Sequence, residues 1–289
     1  MTQTETTTYT AKDYKSGTKP SWCPGCGNFA VLTALMSTMA DLQLDPDNTA
    51  LVSGIGCSSR FPFFTSTYGF HSIHGRALPI SIGLRAARPD INVITLGGDG
   101  DGFSIGGNHF IHASRKNPDI TYIVMDNEIY ALTKGQNSPT SHDNLTTKVS
   151  PYQAVEERIN PIMMALSFET SFIARGFAGD LPQLKDIINQ AINHKGFSFV
   201  HVLSPCVQYN DKITFESLKK NTAYVPENHD VKDRIAGMKL VFEPGTYYTG
   251  VIYKQERPTL QEKLDEVQQK AKITNDENEQ IIKLVEQFM

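Results

Sequence analysis

The chain has 289 residues and a formal net charge of -4. That length suits one large α/β core with appendages, the slight acidity gives no electrostatic footprint for nucleic acid, and no apolar run approaches the roughly 20 residues that would span a bilayer. Residues 1–17, MTQTETTTYTAKDYKSG, lack a basic stretch followed by an apolar core, so no secretory signal is expected. The expected compartment is therefore a reducing cytoplasm, where four cysteines serve better as ligands than as disulfides.

In chain order, residues 1–14 read as a polar arm. Trp22-Cys23-Pro24-Gly25-Cys26-Gly27 follows, with Asn28 as the expected N-cap of a helix whose Val31, Leu32, Leu35, Met36, Met39 and Leu42 recur at helical spacing. Residues 51–56 (LVSGIG) read as a strand that delivers Cys57-Ser58-Ser59-Arg60. His71-Ser72-Ile73-His74-Gly75-Arg76 then precedes a helix over 77–87 rich in small residues.

The runs at 91–96 and 120–125 are short, β-branched and preceded by Pro89 and Pro118, which predicts two buried parallel strands joined by one crossover helix. Residues 128–150 form a long polar loop, a length that is usually functional. Further elements are expected at 161–168 (helix), 171–177 (strand), 181–194 (helix capped by Asp180) and 197–203 (strand). The fold class is α/β, a mostly parallel sheet with helices on both faces. Residues 15–210 form its main domain and 211–289 a C-terminal extension. The densely charged tail ends in helices with a thin apolar stripe (Leu260, Leu264, Val267, then Ile281, Val285, Phe288), expected to pack on the domain or a partner, and Thr259 with Glu262 fits a capping box.

Cys23, Cys26, Cys57 and Cys206 are the only cysteines, each in a loop beside Pro or Gly or just past a predicted strand. In a parallel sheet the loops of Cys57 and Cys206 lie along one edge and can converge. Four thiolates suit zinc or an iron–sulfur cluster, and the spacing alone does not choose between them or exclude unliganded thiols.

The predicted strand ends carry Gly98-Asp99-Gly100-Asp101 and Asp126-Asn127, with 26 residues between Gly100 and Asn127. In open α/β sheets ligands sit at the carboxyl ends of strands. An Asp99 carboxylate, the Asn127 side-chain carbonyl and the Ile129 backbone carbonyl offer hard oxygens for Mg²⁺ bridging to a diphosphate. Gly98, Gly100 and Gly102 are expected to let backbone approach the phosphates.

A GDG tripeptide with an Asn at this distance resembles the thiamin diphosphate and Mg²⁺ motif. CPGCG, GIGCSSR, HSIHGRALP, GGDGDGF, DNEIYALTKGQNSPTS and SPCVQYN together, over about residues 15–210, resemble the β subunit of 2-oxoacid:ferredoxin oxidoreductases. The resemblance implies the thiamin-diphosphate-binding fold. It implies one 4Fe–4S cluster on Cys23, Cys26, Cys57 and Cys206, and Mg²⁺ on Asp99, Asn127 and Ile129. It also implies a thiamin diphosphate site touching Ile55, Gly56, Ser58, His74, Gly98, Asp99, Gly100, Asp101, Asn127, Tyr130, Leu132 and Thr133.

Substrate contacts are expected from His74, Arg76 and Lys134, with Arg60, His71 and Gln136 as further candidates. Asp101 is read as a helix-start acid, and His109 and His112 as helix-packing residues. The implied reaction is coenzyme A-dependent oxidative decarboxylation of 2-oxoglutarate to succinyl-CoA, or its reverse, with single electrons passing through the cluster to ferredoxin. Pyruvate or a broad substrate range is the alternative within the family; a thiamin decarboxylase subunit with structural zinc is the alternative outside it. The glutamate that activates thiamin belongs to another subunit in this family, so an α subunit is the expected partner. Ala131 departs from the glycine that related sequences often carry.

Overall fold

β-Branched Val93, Ile94, Thr95, Ile120, Thr121, Ile123 and Val124 make up half of the runs at 92–98 and 120–126, and in the computed structural model both become fully or almost fully buried strands. The structure describes residues 8–143, 145–147, 149–271 and 277–289, so residues 1–7 of the expected N-terminal arm lie outside the described residues. The strands are β1 (Thr49–Ser53), β2 (Tyr68–His71), β3 (Asn92–Gly98), β4 (Ile120–Asp126), β5 (Phe172–Phe177), β6 (Phe197–Leu203), β7 (Thr222–Tyr224) and β8 (Tyr247–Lys254). They form one sheet in the order β2-β1-β3-β4-β6-β5-β8-β7, parallel throughout except where β8 runs antiparallel to β5.

The helices are α1 (Asn28–Asp41), α2 (Phe61–Phe64), α3 (Ala77–Ala87), α4 (Asp99–Phe103), α5 (Gly107–Lys116), α6 (Pro161–Ser167), α7 (Leu181–Asn193), α8 (Phe215–Asn221), α9 (Arg234–Phe242), α10 (Leu260–Ala271) and α11 (Glu277–Glu286). Side chains alternate across the strands, so the sheet has two cores. Ile123, Met125, Val200 and Val202 pack on Val31, Leu35 and Met39 of α1 and Leu184, Ile187 and Ile188 of α7. Tyr122, Val124, Phe197 and Phe199 face Leu78 of α3, Phe110 and Ala113 of α5, and Ile162 and Leu166 of α6. This is the expected mostly parallel sheet with helices on both faces.

Several expectations need correction. β1 ends at Ser53 rather than Gly56, because Gly54 passes so close to Asp101 that a Cβ would lie 2.1 Å from its Oδ2, and Gly56 turns at φ +129°. The single crossover helix is two, α4 and α5, with a sharp break at Ser104–Gly106. Helix α1 starts one residue early: Gly27 occupies the N-cap, and Asn28 is a buried helical residue rather than a cap.

The edge strand β2, all four of whose residues are exposed, escaped notice because its residues show no buried face. In the extension, Thr259 and Glu262 form the expected capping box, with Thr259 N–H donating to Glu262 Oε2 at 2.7 Å and Glu262 N–H to Thr259 Oγ1 at 3.2 Å. The apolar stripe that follows does not pack on the domain: Leu264, Val267, Ile281, Val285 and Phe288 are all exposed.

Candidate active site

Parallel strands bring the loops after β1, β2, β3, β4 and β6 to one edge of the sheet, where the Cys23–Gly27 turn before α1 joins them at the cysteine cleft. Asp99, at the end of β3, is 2% exposed, and Asp126, at the end of β4, is 3% exposed. Thr140 Oγ1 lies 2.9 Å from Asp99 Oδ2 and 2.8 Å from Asp126 Oδ1. One hydroxyl hydrogen serves only one of these oxygens, so the second bond needs a hydrogen on a carboxyl group. Burial, reinforced by the Asp126 charge, holds the Asp99 pKa well above the usual carboxylate range. A divalent cation would relieve the same crowding of charge, and Asp99 with the adjoining Asn127 loop offers the hard oxygens that fit Mg²⁺.

Asn127 follows directly. Its Oδ1 accepts the Ile129 N–H at 3.1 Å and its carbonyl accepts Asn210 Nδ2–H at 2.9 Å, while Glu128 takes up a left-handed φ of +56°. The three glycines of the motif also have packing reasons within the protein. A Cβ at Gly98 would meet Ser58 Oγ at 2.6 Å, at Gly100 the Tyr130 ring at 2.2 Å, and at Gly102 the Tyr122 hydroxyl at 2.4 Å. Tyr130 lies across the motif and donates to the Gly100 carbonyl at 3.3 Å.

Asp101 is not a helix cap. Its Oδ1 accepts Ile55 N–H at 2.9 Å and Gly75 N–H at 2.7 Å and lies 2.8 Å from His74 Nδ1, so one buried carboxylate ties the loops after β1 and β2 to α4. With Nδ1–H spent on Asp101, His74 presents Nε2, and its side chain is 40% exposed, edge-on to Tyr130 at 6.3 Å. Arg76 Nη1 is buried with no hydrogen-bond partner among the described residues. His71, by contrast, is anchored through Nδ1 to the Ser59 carbonyl at 2.9 Å. Thr133 and Gln136 bond each other at an exposed turn whose tip, Lys134, has φ +76°; Leu132 beside it is exposed.

The four cysteines line one cleft of about 190 Å³ together with Arg60, Asn127, Ala131 and Leu132. Close packing of the loops makes this possible. Gly27 N–H donates to the Pro205 carbonyl at 3.3 Å, a Cβ at Gly27 would lie 2.4 Å from Ser204 Oγ, and Trp22 Nε1–H donates to the Cys57 carbonyl at 2.6 Å. Burial pushes the Cys26 thiol up to about 11 and raises Cys57, the latter offset in part by Arg60. Among the described residues no three His, Cys, Asp or Glu side chains converge enough to hold a single metal ion.

Sequence reasoning missed the groups behind Asp126. His201 Nε2–H donates to Asp126 Oδ2 at 2.8 Å, and Arg175 Nε–H donates to His201 Nδ1 at 3.3 Å. Arg175 and His201 are register partners on β5 and β6, and His201 pairs Val124, two residues before Asp126 on the same face. Burial lowers the His201 pKa, which keeps the ring neutral, and brings Arg175 down to about 10, still charged at neutral pH. The signal available in the sequence was a His and an Arg inside otherwise apolar, buried strands.

Comparison with known proteins decides the family. The thiamine pyrophosphate enzyme C-terminal TPP-binding domain matches residues 54–202, and the family describing the C-terminal part of the pyruvate ferredoxin oxidoreductase β chain matches 206–269. The chain is 37% identical to the Aeropyrum pernix 2-oxoacid:ferredoxin oxidoreductase 2 subunit β, over 88% of this chain and 87% of that one. The chain belongs to the β-subunit family of the 2-oxoacid:ferredoxin oxidoreductases.

Within this oxidoreductase β-subunit family, the chain is 44% identical to the Mycobacterium tuberculosis 2-oxoglutarate oxidoreductase subunit KorB, over 73% of this chain and 57% of the longer relative. It superposes with a TM-score of 0.93, at 41% identity over 96% of both chains, on a 2-oxoglutarate:ferredoxin oxidoreductase from Magnetococcus marinus solved with 2-oxoglutarate, coenzyme A and succinyl-CoA bound. The family gives the sheet edge its cofactor, thiamin diphosphate, and a β subunit implies an α partner. No helix among the described residues is long and apolar enough to cross a membrane.

Proposed function

We propose that this β subunit holds thiamin diphosphate, Mg²⁺ and a 4Fe–4S cluster for the cytoplasmic conversion of 2-oxoglutarate and coenzyme A to succinyl-CoA and CO₂, or the reverse. Two electrons leave one at a time to ferredoxin. The observation that carries the reading is the shared wall: Asn127, Ala131 and Leu132 line the cysteine cleft, while Asn127 also follows the Asp99–Thr140–Asp126 cluster. A metal-linked diphosphate site and a sulfur site are thus separated by a single loop.

Thiamin diphosphate supplies the electron sink that lets a 2-oxoacid lose CO₂. This chain's part is to place and tune. Asp99, Asn127 and the Ile129 carbonyl would hold Mg²⁺, with Thr140 fixing the carboxylate from behind. Tyr130, Ser58 and Gly98, packed around the motif, would help to hold the diphosphate. His74, oriented by Asp101, presents a half-exposed Nε2 as an acceptor or donor, and the partnerless Arg76 Nη1 is suited to an anionic oxygen. Lys134, Thr133 and Leu132 sit on an exposed turn that a partner subunit would cover.

The four cysteines line one cleft, and four thiolates in one cleft suit a 4Fe–4S cluster as the family resemblance implies.

The test is steady-state turnover of the complex reconstituted with its α subunit and purified without oxygen. The assay uses coenzyme A, a one-electron acceptor and either 2-oxoglutarate or pyruvate. Faster turnover with 2-oxoglutarate is expected; faster turnover with pyruvate overturns the substrate assignment, and a colourless protein carrying one zinc overturns the electron route.

A further inference from the structure

Behind the strand ends, on the side closed by the C-terminal extension, lies a cavity of about 420 Å³. Its wall carries Arg158, Arg175 and Lys212, together with Asn221 and Tyr247 and one acid, Glu243. Glu243 is already engaged, accepting the Tyr248 hydroxyl at 2.7 Å.

Arg175 is the unusual member. It is 4% exposed, its guanidinium sits 5.5 Å over the Tyr247 ring, and only its Nε–H is used, by His201. Among the described residues neither Nη group makes a hydrogen bond. A guanidinium presents five N–H donors in a planar fork that matches a carboxylate or phosphate edge. Both Nη groups are therefore left free to meet an anionic oxygen in the cavity.

Counter-charge explains only part of the arrangement. Asp126 balances Arg175 through His201 and Glu128 faces Arg158, whereas Lys212 makes no ion pair among the described residues. The cavity is also of a size that takes a small metabolite.

We propose that this cavity is a binding site for a small oxyanion ligand, a phosphate- or carboxylate-bearing metabolite, gripped by Arg175 from the floor and by Arg158 and Lys212 from the rim. The thiamin reaction uses none of these three side chains. The ligand would touch the same arginine that supports His201 and Asp126, so its occupancy is felt one residue from Asn127.

Isothermal titration of the αβ complex, loaded with thiamin diphosphate and Mg²⁺, with inorganic phosphate and separately with malonate tests the site. Saturable binding of at least one anion is expected. Arg158→Gln and Lys212→Gln combined should weaken that binding about tenfold or more, since each removes a charge-assisted contact. Tighter phosphate binding assigns a phosphorylated ligand and tighter malonate binding a carboxylate. Arg175→Lys, which keeps the charge and loses the fork, should weaken it as well; if that buried variant does not fold, the two rim substitutions carry the test. No saturable binding of either anion at millimolar concentration, or binding unchanged by the double substitution, overturns the proposal.

Discussion

His74 Nδ1 lies 2.8 Å from Asp101 Oδ1, and that one oxygen also takes the backbone N–H groups of Ile55 and Gly75. Two loops separated from residue 101 by 46 and 26 positions therefore close on a single carboxylate. Asp101→Ala leaves three donors without their acceptor and is expected to cost about 3 kcal/mol of stability. Urea unfolding of the free β chain reads the stability, and turnover of the αβ complex reads the loss of His74 orientation. Wild-type stability in the variant would dissolve the clamp.

Asp99→Asn is expected to act in opposite directions on stability and on metal binding. The Asp99 pKa is raised in the folded, metal-free chain, so its stabilising contribution is complete below the unfolded value near 3.8 and is lost as pH rises through the folded value. Metal-free Asp99→Asn should consequently melt higher than wild type at neutral pH, with the gap closing toward pH 4. The same variant should hold thiamin diphosphate with Mg²⁺ about a hundredfold or more weakly, because an amide replaces an anionic ligand. Calorimetric melting across pH and equilibrium dialysis separate the two effects; a lower melting point at pH 7 would contradict the buried-proton reading.

The cysteines should differ in reactivity before any cluster is inserted. Cys23 is exposed, whereas burial holds the Cys26 thiol up to about 11, so at pH 8 iodoacetamide should label Cys23 well ahead of Cys26. Peptide mass spectrometry against time reads the order. Loading the cluster should then protect all four, and Cys206→Ser should abolish the broad absorption near ~400 nm characteristic of iron–sulfur chromophores.

Gly100→Ala tests the packing account of the glycines. The added methyl falls 2.2 Å from the Tyr130 ring, and forcing the tyrosine aside should cost about 1–3 kcal/mol. If Tyr130 is the obstacle, Tyr130→Ala in the same chain restores part of that loss. A clash with backbone instead would leave the double variant no better than the single one, as denaturant midpoints would reveal.

Much of this site was visible before folding. The runs that became β3, β4 and β6 were readable because buried parallel strands are uninterrupted in their apolar character, and strand ends locate ligand edges. Asp99, Asn127 and the four cysteines stand out by residue type and spacing, and the fold gathers the cysteines and Asn127 around one cleft. Asp101 was misread because its partners, Ile55 and Gly75, contribute backbone N–H groups, which have no sequence signature. Thr140 sits in a long polar loop where nothing distinguishes it from its neighbours, yet it bridges the two buried carboxylates. Arg175 and His201 were hidden by the strands around them, since an apolar run absorbs one polar residue without changing its reading. β2 stayed invisible for the opposite reason: it has no buried face to impose alternation.

The contact between Trp22 and the Cys57 carbonyl has a practical side. Trp22 is the only tryptophan in the chain, it is 7% exposed among Phe29, Phe61 and Phe64, and its indole N–H is fixed on the loop of a cleft cysteine. The chain's single tryptophan fluorophore thus sits beside the sulfur cleft. Its emission colour reports whether the Cys57 loop is folded around it, and any chromophore assembled on the neighbouring thiols will dim it by energy transfer, so loading can be followed in unlabelled protein with nothing more than an ultraviolet lamp.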